Sequence, residues 1–156
     1  MSILSWLKEV TAGSRTAFME RPLKFAQGEQ HFRGLDMREA LDIHNAWTQR
    51  LEALIAGTSD EQPAIGTLAS DNQCTLGEWI HGYAKRHFAG LAEYQELQRV
   101  HANFHLTAAR IRNDLRNGTE GLSEDECLRQ IRHKSGHVQL ALVRLYSAVR
   151  EGVAAS

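Results

Sequence analysis

The sequence predicts an all-α fold, an antiparallel four-helix bundle with a short additional N-terminal helical segment, and three observations predict it. Apolar residues recur at alternating three-and-four spacing over three long stretches, no stretch alternates apolar with polar residues as a half-buried strand does, and only two prolines occur in 156 residues. A chain of that length can bury one core without disulfides. Helices that each carry one apolar face bury those faces by packing them together, which is what a bundle does.

Residues 1–30 form an N-terminal segment in which Ile3, Trp6, Leu7 and Val10 make an apolar stripe, with Leu4 beside it, until Gly13 and Pro22 interrupt it. The stripe reads either as a helix packed on the domain or as a docking segment for a partner. The bundle is expected over residues 31–153. Its first long helix follows Gly34-Leu35-Asp36-Met37, with Asp36 as cap, and keeps its rhythm through Met37, Leu41, His44, Trp47, Leu51 and Leu54. Gly57-Thr58-Ser59-Asp60 stops it, and the segment to about Ser70, with Pro63 and Gly66, reads as a loop.

A shorter helix is expected from Asp71 or Asn72 as cap, with Cys74 in its first turn. The unsatisfied N–H groups and positive dipole end there favour a thiolate. His81 and His87, further along with polar neighbours, read as surface residues. The central helix runs from about Gly90 to Asn117 and ends at Asn117-Gly118, its seam made of Tyr94, Leu97, Phe104, Ala108, Ile111 and Leu115. The last helix opens on a capping box, Ser123 with Glu126, and its seam reads Leu128, Ile131, Ser135, Val138, Leu142, Leu145 and Val149.

Histidines interrupt two of these apolar faces. His101 fills the slot left open in the central seam, and His105 lies one turn on, so that the two imidazoles project over one patch of helix surface. His44 interrupts the first long helix in the same way. His133 and His137 repeat the spacing on the last helix but lie off its seam, so that pair is expected to face solvent. Three imidazoles and the Cys74 thiol from three helices suit one tetrahedral Zn2+ in a bundle core, and carboxylates on the seam, which a di-iron oxygen site needs, are missing.

With 18 basic and 19 acidic residues the net charge is −1, which gives no electrostatic case for nucleic acid. No apolar run approaches the roughly 20 residues that cross a bilayer, so no membrane insertion and a cytoplasmic location are expected. Cys74 and Cys127 are then free thiols or a ligand rather than a disulfide. Cys127 has no motif around it and reads as a small core or boundary residue.

His44-Asn45-Ala46-Trp47, Cys74-Thr75-Leu76-Gly77-Glu78-Trp79 and His101-Ala102-Asn103-Phe104-His105 closely resemble the ordered motifs H-x-x-W, C-x-L-G-x-W and H-x-x-x-H of the chemoreceptor zinc-binding domain family, CZB. The resemblance spans about residues 32–149. It implies a bacterial cytoplasmic module holding one zinc through His44, Cys74, His101 and His105, with Trp47 and Trp79 as packing walls of the site. It also implies a homodimer and a regulatory role beside a chemoreceptor or a diguanylate cyclase, in chemotaxis or cyclic-di-GMP signalling, in response to zinc or to oxidants such as hypochlorous acid. Cys74 would be the redox switch. No segment is long enough for a receptor coiled coil or a cyclase domain, so a free-standing member is expected. Four protein ligands close the zinc shell, which leaves no open position for catalytic water; a non-enzyme is expected, with a purely structural zinc or, more remotely, a zinc hydrolase as the alternatives.

Overall fold

The computed structural model describes residues 3–12, 23, 25–60, 65–118 and 123–155. Their regular secondary structure is helical apart from one two-stranded hairpin. Helix α1 (Ile3–Ala12) turns Ile3, Trp6 and Val10 inward, and all three are buried among residues of the common core. The backbone N–H of Ile3 donates to Oε1 of Glu29 at 3.0 Å, which ties the start of α1 to the chain ahead of the hairpin. Gly13 and Pro22, expected to interrupt this stripe, lie outside the described residues.

The hairpin was not expected from the sequence. Strands β1 (His31–Phe32) and β2 (Leu35–Asp36) pair antiparallel, His31 opposite Asp36 and Phe32 opposite Leu35. Arg33 and Gly34 both have positive φ, 48° and 82°, the backbone that a two-residue turn needs to match the twist of its strands. Strands of two residues are too short to show alternation, which is why the sequence pattern did not reveal them.

Helix α2 (Met37–Ile55) starts as expected, with the Asp36 carboxylate accepting from the Glu39 N–H at 3.0 Å. A short helix α3 (Ile65–Ala69) stands where a loop was expected, with Leu68 buried. Helix α4 covers residues 75–88 in three pieces, with a π-helical turn at Ile80–Ala84 between α-helical Thr75–Trp79 and Lys85–Phe88. The Tyr94 hydroxyl donates to the Ile80 carbonyl at 3.0 Å and pins that turn to helix α5 (Ala92–Asn117). Gly118 closes α5 in the left-handed conformation, φ 61° and ψ 24°. Helix α6 (Glu124–Ala155) opens on Ser123, whose Oγ accepts from the Glu126 N–H at 3.3 Å.

Helix α5 packs along α6, α2 lies against both, α3 covers α5, and α4 leans on α2. The α5 seam is buried at Tyr94, Leu97, His101, Phe104, Ala108 and Ile111, but Leu115, near the end of α5, is exposed. On α6, Ile131, Val138, Leu142 and Leu145 are fully buried. The faces of α2, α5 and α6 thus share one core, and His44 and His101 are buried on the α2 and α5 sides of it.

Candidate metal centre

Two helical faces bring together His44, on α2, and His101 and His105, on α5. They are 4%, 0% and 6% exposed, and each offers a ring nitrogen within 4.8 Å of the others. The rings of His101 and His105, one turn apart on α5, have centroids 4.7 Å apart, and His44 of α2 sits 5.8 Å from His101 and 6.2 Å from His105. The fourth group comes from the start of α4. Cys74 Sγ lies 3.3 Å from His101 Nε2 and 3.9 Å from His105 Nε2.

The two sulfur–nitrogen separations suit the edges of a tetrahedral site. With metal–nitrogen bonds of about 2.0–2.1 Å and a metal–sulfur bond of about 2.3 Å, a nitrogen–sulfur edge is about 3.5 Å. The two sulfur–nitrogen distances, 3.3 and 3.9 Å, bracket that edge. Hydrogen bonding around the rings points the same way. His105 Nδ1 donates to the Leu68 carbonyl at 2.9 Å, which fixes its tautomer and leaves the Nε2 lone pair facing Cys74. His44 Nε2 is buried without a hydrogen-bond partner among the described residues, as is His101 Nδ1. A buried unpartnered imidazole nitrogen is costly, and a cation at the cluster would satisfy that of His44.

Burial keeps all three rings neutral, the form that ligates metal. It pushes His44 down to about 3, helped by the neighbouring His105, and pushes His101 down to about 3, helped by His105 and His44. Burial lowers His105 as well. The sequence expectation for Cys74 is corrected here. The residue is the N-cap of α4 itself, with φ −91° and ψ 160°, rather than a first-turn residue capped by Asp71 or Asn72. Burial pushes its thiol up, and this outweighs the lowering by N–H groups of Gly77, Cys74 and Leu76. The helix terminus alone therefore does not keep the sulfur ionised; a cation would have to displace its proton.

Gly77 explains why α4 can begin here. A Cβ at this position would lie 1.7 Å from the carbonyl oxygen of Asp71 and 2.8 Å from its carbon, so the turn carrying Cys74 crosses directly over the first turn of the helix. The Gly77 N–H donates to Cys74 Sγ at 3.2 Å. The same turn is held by Asp71 Oδ2, 3.0 Å from Nε2 of the half-buried His81, which was expected at the surface.

The ring packed on His44 is Phe104, centroids 4.2 Å apart. Trp79 packs on Phe32 and Phe88 and donates its Nε1–H to the Arg33 carbonyl at 3.0 Å, locking α4 to the hairpin. Trp47 is partly buried, with the Arg50 guanidinium 5.0 Å from its ring centre. His87 is exposed and stacked on Tyr83. Cys127 is buried near the start of α6, where it was expected.

The roles of the Leu68 carbonyl, Asp71 and Gly77 were not legible beforehand, because a carbonyl acceptor leaves no residue signature and an aspartate ten residues from its histidine matches no motif. Residues 44–112 match the chemoreceptor zinc-binding domain family, a span that includes all four converging side chains. Comparison with curated proteins and with solved structures returns no match.

Proposed function

Since residues 44–112 belong to the chemoreceptor zinc-binding family, we propose that the chain is a zinc-binding regulatory module, not an enzyme, whose ligands are His44, Cys74, His101 and His105. The observation that carries this reading is the buried cluster of three neutral imidazoles, with the Cys74 sulfur beside those of His101 and His105 and the His44 Nε2 without a hydrogen-bond partner among the described residues. When bound, zinc supplies a redox-silent cross-link between α2, α4 and α5 inside an antiparallel bundle.

The signal enters through Cys74. It is the one ligand an oxidant converts, and it is only partly buried, whereas the imidazoles are closed off. Oxygen transfer from hypochlorous acid to the thiolate would yield a sulfenic acid and chloride, leaving three imidazoles and freeing the start of α4. That release is the element through which a bacterial chemoreceptor or a diguanylate cyclase would be modulated in the cytoplasm. Homodimerisation rests on the family resemblance, and Ile3 and Trp6 of the N-terminal stripe are not free for it, being buried within the chain itself. Among the described residues, Leu91, Leu106 and Leu115 are exposed apolar side chains available for such a contact.

The test is metal content after dialysis against a mild chelator. One zinc per chain is expected in the wild type and in His133→Ala, and almost none in His101→Ala. Equal zinc in all three would overturn the ligand assignment.

A further inference from the structure

The structure carries a second cluster of metal-ligating groups, away from the buried centre. On α6, His133 and His137 are one turn apart, their Nε2 atoms converge to 3.2 Å, and their ring centroids are 4.3 Å apart. His133 is exposed and His137 half-buried, so solvent reaches the pair. We propose that these two imidazoles form a second, exchangeable site for a divalent borderline cation such as Zn2+.

The geometry is that of a chelate. An ion about 2.05 Å from each nitrogen and spanning their 3.2 Å separation subtends an angle of about 100°, close to tetrahedral. Both ligands come from one turn of a continuous helix, so little backbone ordering is needed to bring them together. Burial, with His133 and Lys134 beside it, pushes His137 down and favours its neutral ligating form, while Glu96 opposes. The Glu96 carboxylate on α5 is bridged to Arg99, 2.6 Å from its Nη2. It adds negative potential near His137, against which Arg99 and Lys134 act. Two protein ligands leave the remaining positions to water, which makes this an open site that loads and unloads, weaker than a closed four-ligand shell.

The test is equilibrium dialysis of Zn2+ with metal counted per chain, run on the zinc-loaded protein and, separately, on the His101→Ala variant. A further equivalent is expected in the loaded wild type, weakened by about tenfold or more in His133→Ala and in His137→Gln, and unchanged in His87→Ala. The same equivalent should persist in His101→Ala, so it stands or falls independently of the buried centre. Identical binding curves for wild type, His133→Ala and His137→Gln would overturn the proposal, as would loss of the further equivalent in His87→Ala. Both variants change solvent-reached side chains, and a circular dichroism melt matching the wild type secures the comparison.

Discussion

Replacing Gly77 by alanine should destroy the metal centre without touching a ligand. In an ordinary helix interior, glycine to alanine stabilises by about 1 kcal/mol. Here the added Cβ meets the Asp71 carbonyl oxygen at 1.7 Å and its carbon at 2.8 Å, and both are backbone atoms that cannot rotate away. Relief to an ordinary contact of about 3.5 Å requires a shift of roughly 1.8 Å, borne by the turn 71–74 or by the first turn of α4. Metal ligands tolerate displacements of only about 0.2 Å, so the Cys74 sulfur cannot keep its place over His101. The Gly77 N–H bond to that sulfur, 3.2 Å long, is lost in the same movement. The sign therefore reverses: a cost of about 1–3 kcal/mol in the metal-free protein and a loss of at least about 10–100-fold in zinc affinity. A competition titration against a chromogenic chelator measures the second, and urea melts measure the first. Wild-type affinity in Gly77→Ala would refute the claim that this crossing positions the ligand.

Other outcomes follow from the same geometry. Stripping the metal should lower the melting temperature, because α2, α4 and α5 lose their shared anchor; an unchanged melt would argue against a cation that binds only the folded chain. The metal-free protein should lose stability as pH falls from about 6.5 towards 3, since His44 and His101 stay neutral in the fold down to about 3 while the unfolded chain takes up protons. Each contributes up to about 1.4 kcal/mol per pH unit in that window, read from urea melts at pH 7 and pH 5; equal midpoints would contradict it. Hypochlorous acid should release zinc in step with oxidation of the Cys74 peptide, followed by chelator absorbance and mass spectrometry, and zinc retained until the fold melts would exclude a switch at that sulfur. Leu68 offers its carbonyl to His105 at 2.9 Å, so a proline at Ala69 that distorts α3 should weaken zinc by about 10–100-fold, whereas one that leaves affinity intact would show the bond to be incidental.

His44 and His101 were legible because a polar residue in an apolar seam breaks a periodic pattern, and His105 because it lies one turn beyond His101; all three are buried. Cys74 was legible from its place at a helix start and from its motif. Its helix-terminal position was foreseen, but the burial that raises its pKa depends on the packing of α4 against α2 and is invisible in one dimension. Trp6 shows the same limit: its stripe marked a helix, yet whether the chain or a partner covered it was decided by α1 lying against α6. The hairpin escaped notice because its information sits in two backbone angles, those of Arg33 and Gly34, rather than in an alternating run. Leu115 keeps the seam's period yet is exposed, since periodicity reports which face a residue shares and not how closely neighbouring side chains cover it.

The central claim is a closed shell of three imidazoles and one thiolate. X-ray absorption at the zinc edge, on protein loaded with a single equivalent, tests it most directly. The predicted spectrum has three nitrogen scatterers at about 2.0–2.1 Å and one sulfur at about 2.3 Å, with the sulfur shell gone in Cys74→Ala. A wild-type spectrum without sulfur, or one that needs a fifth, water-like oxygen, would contradict it.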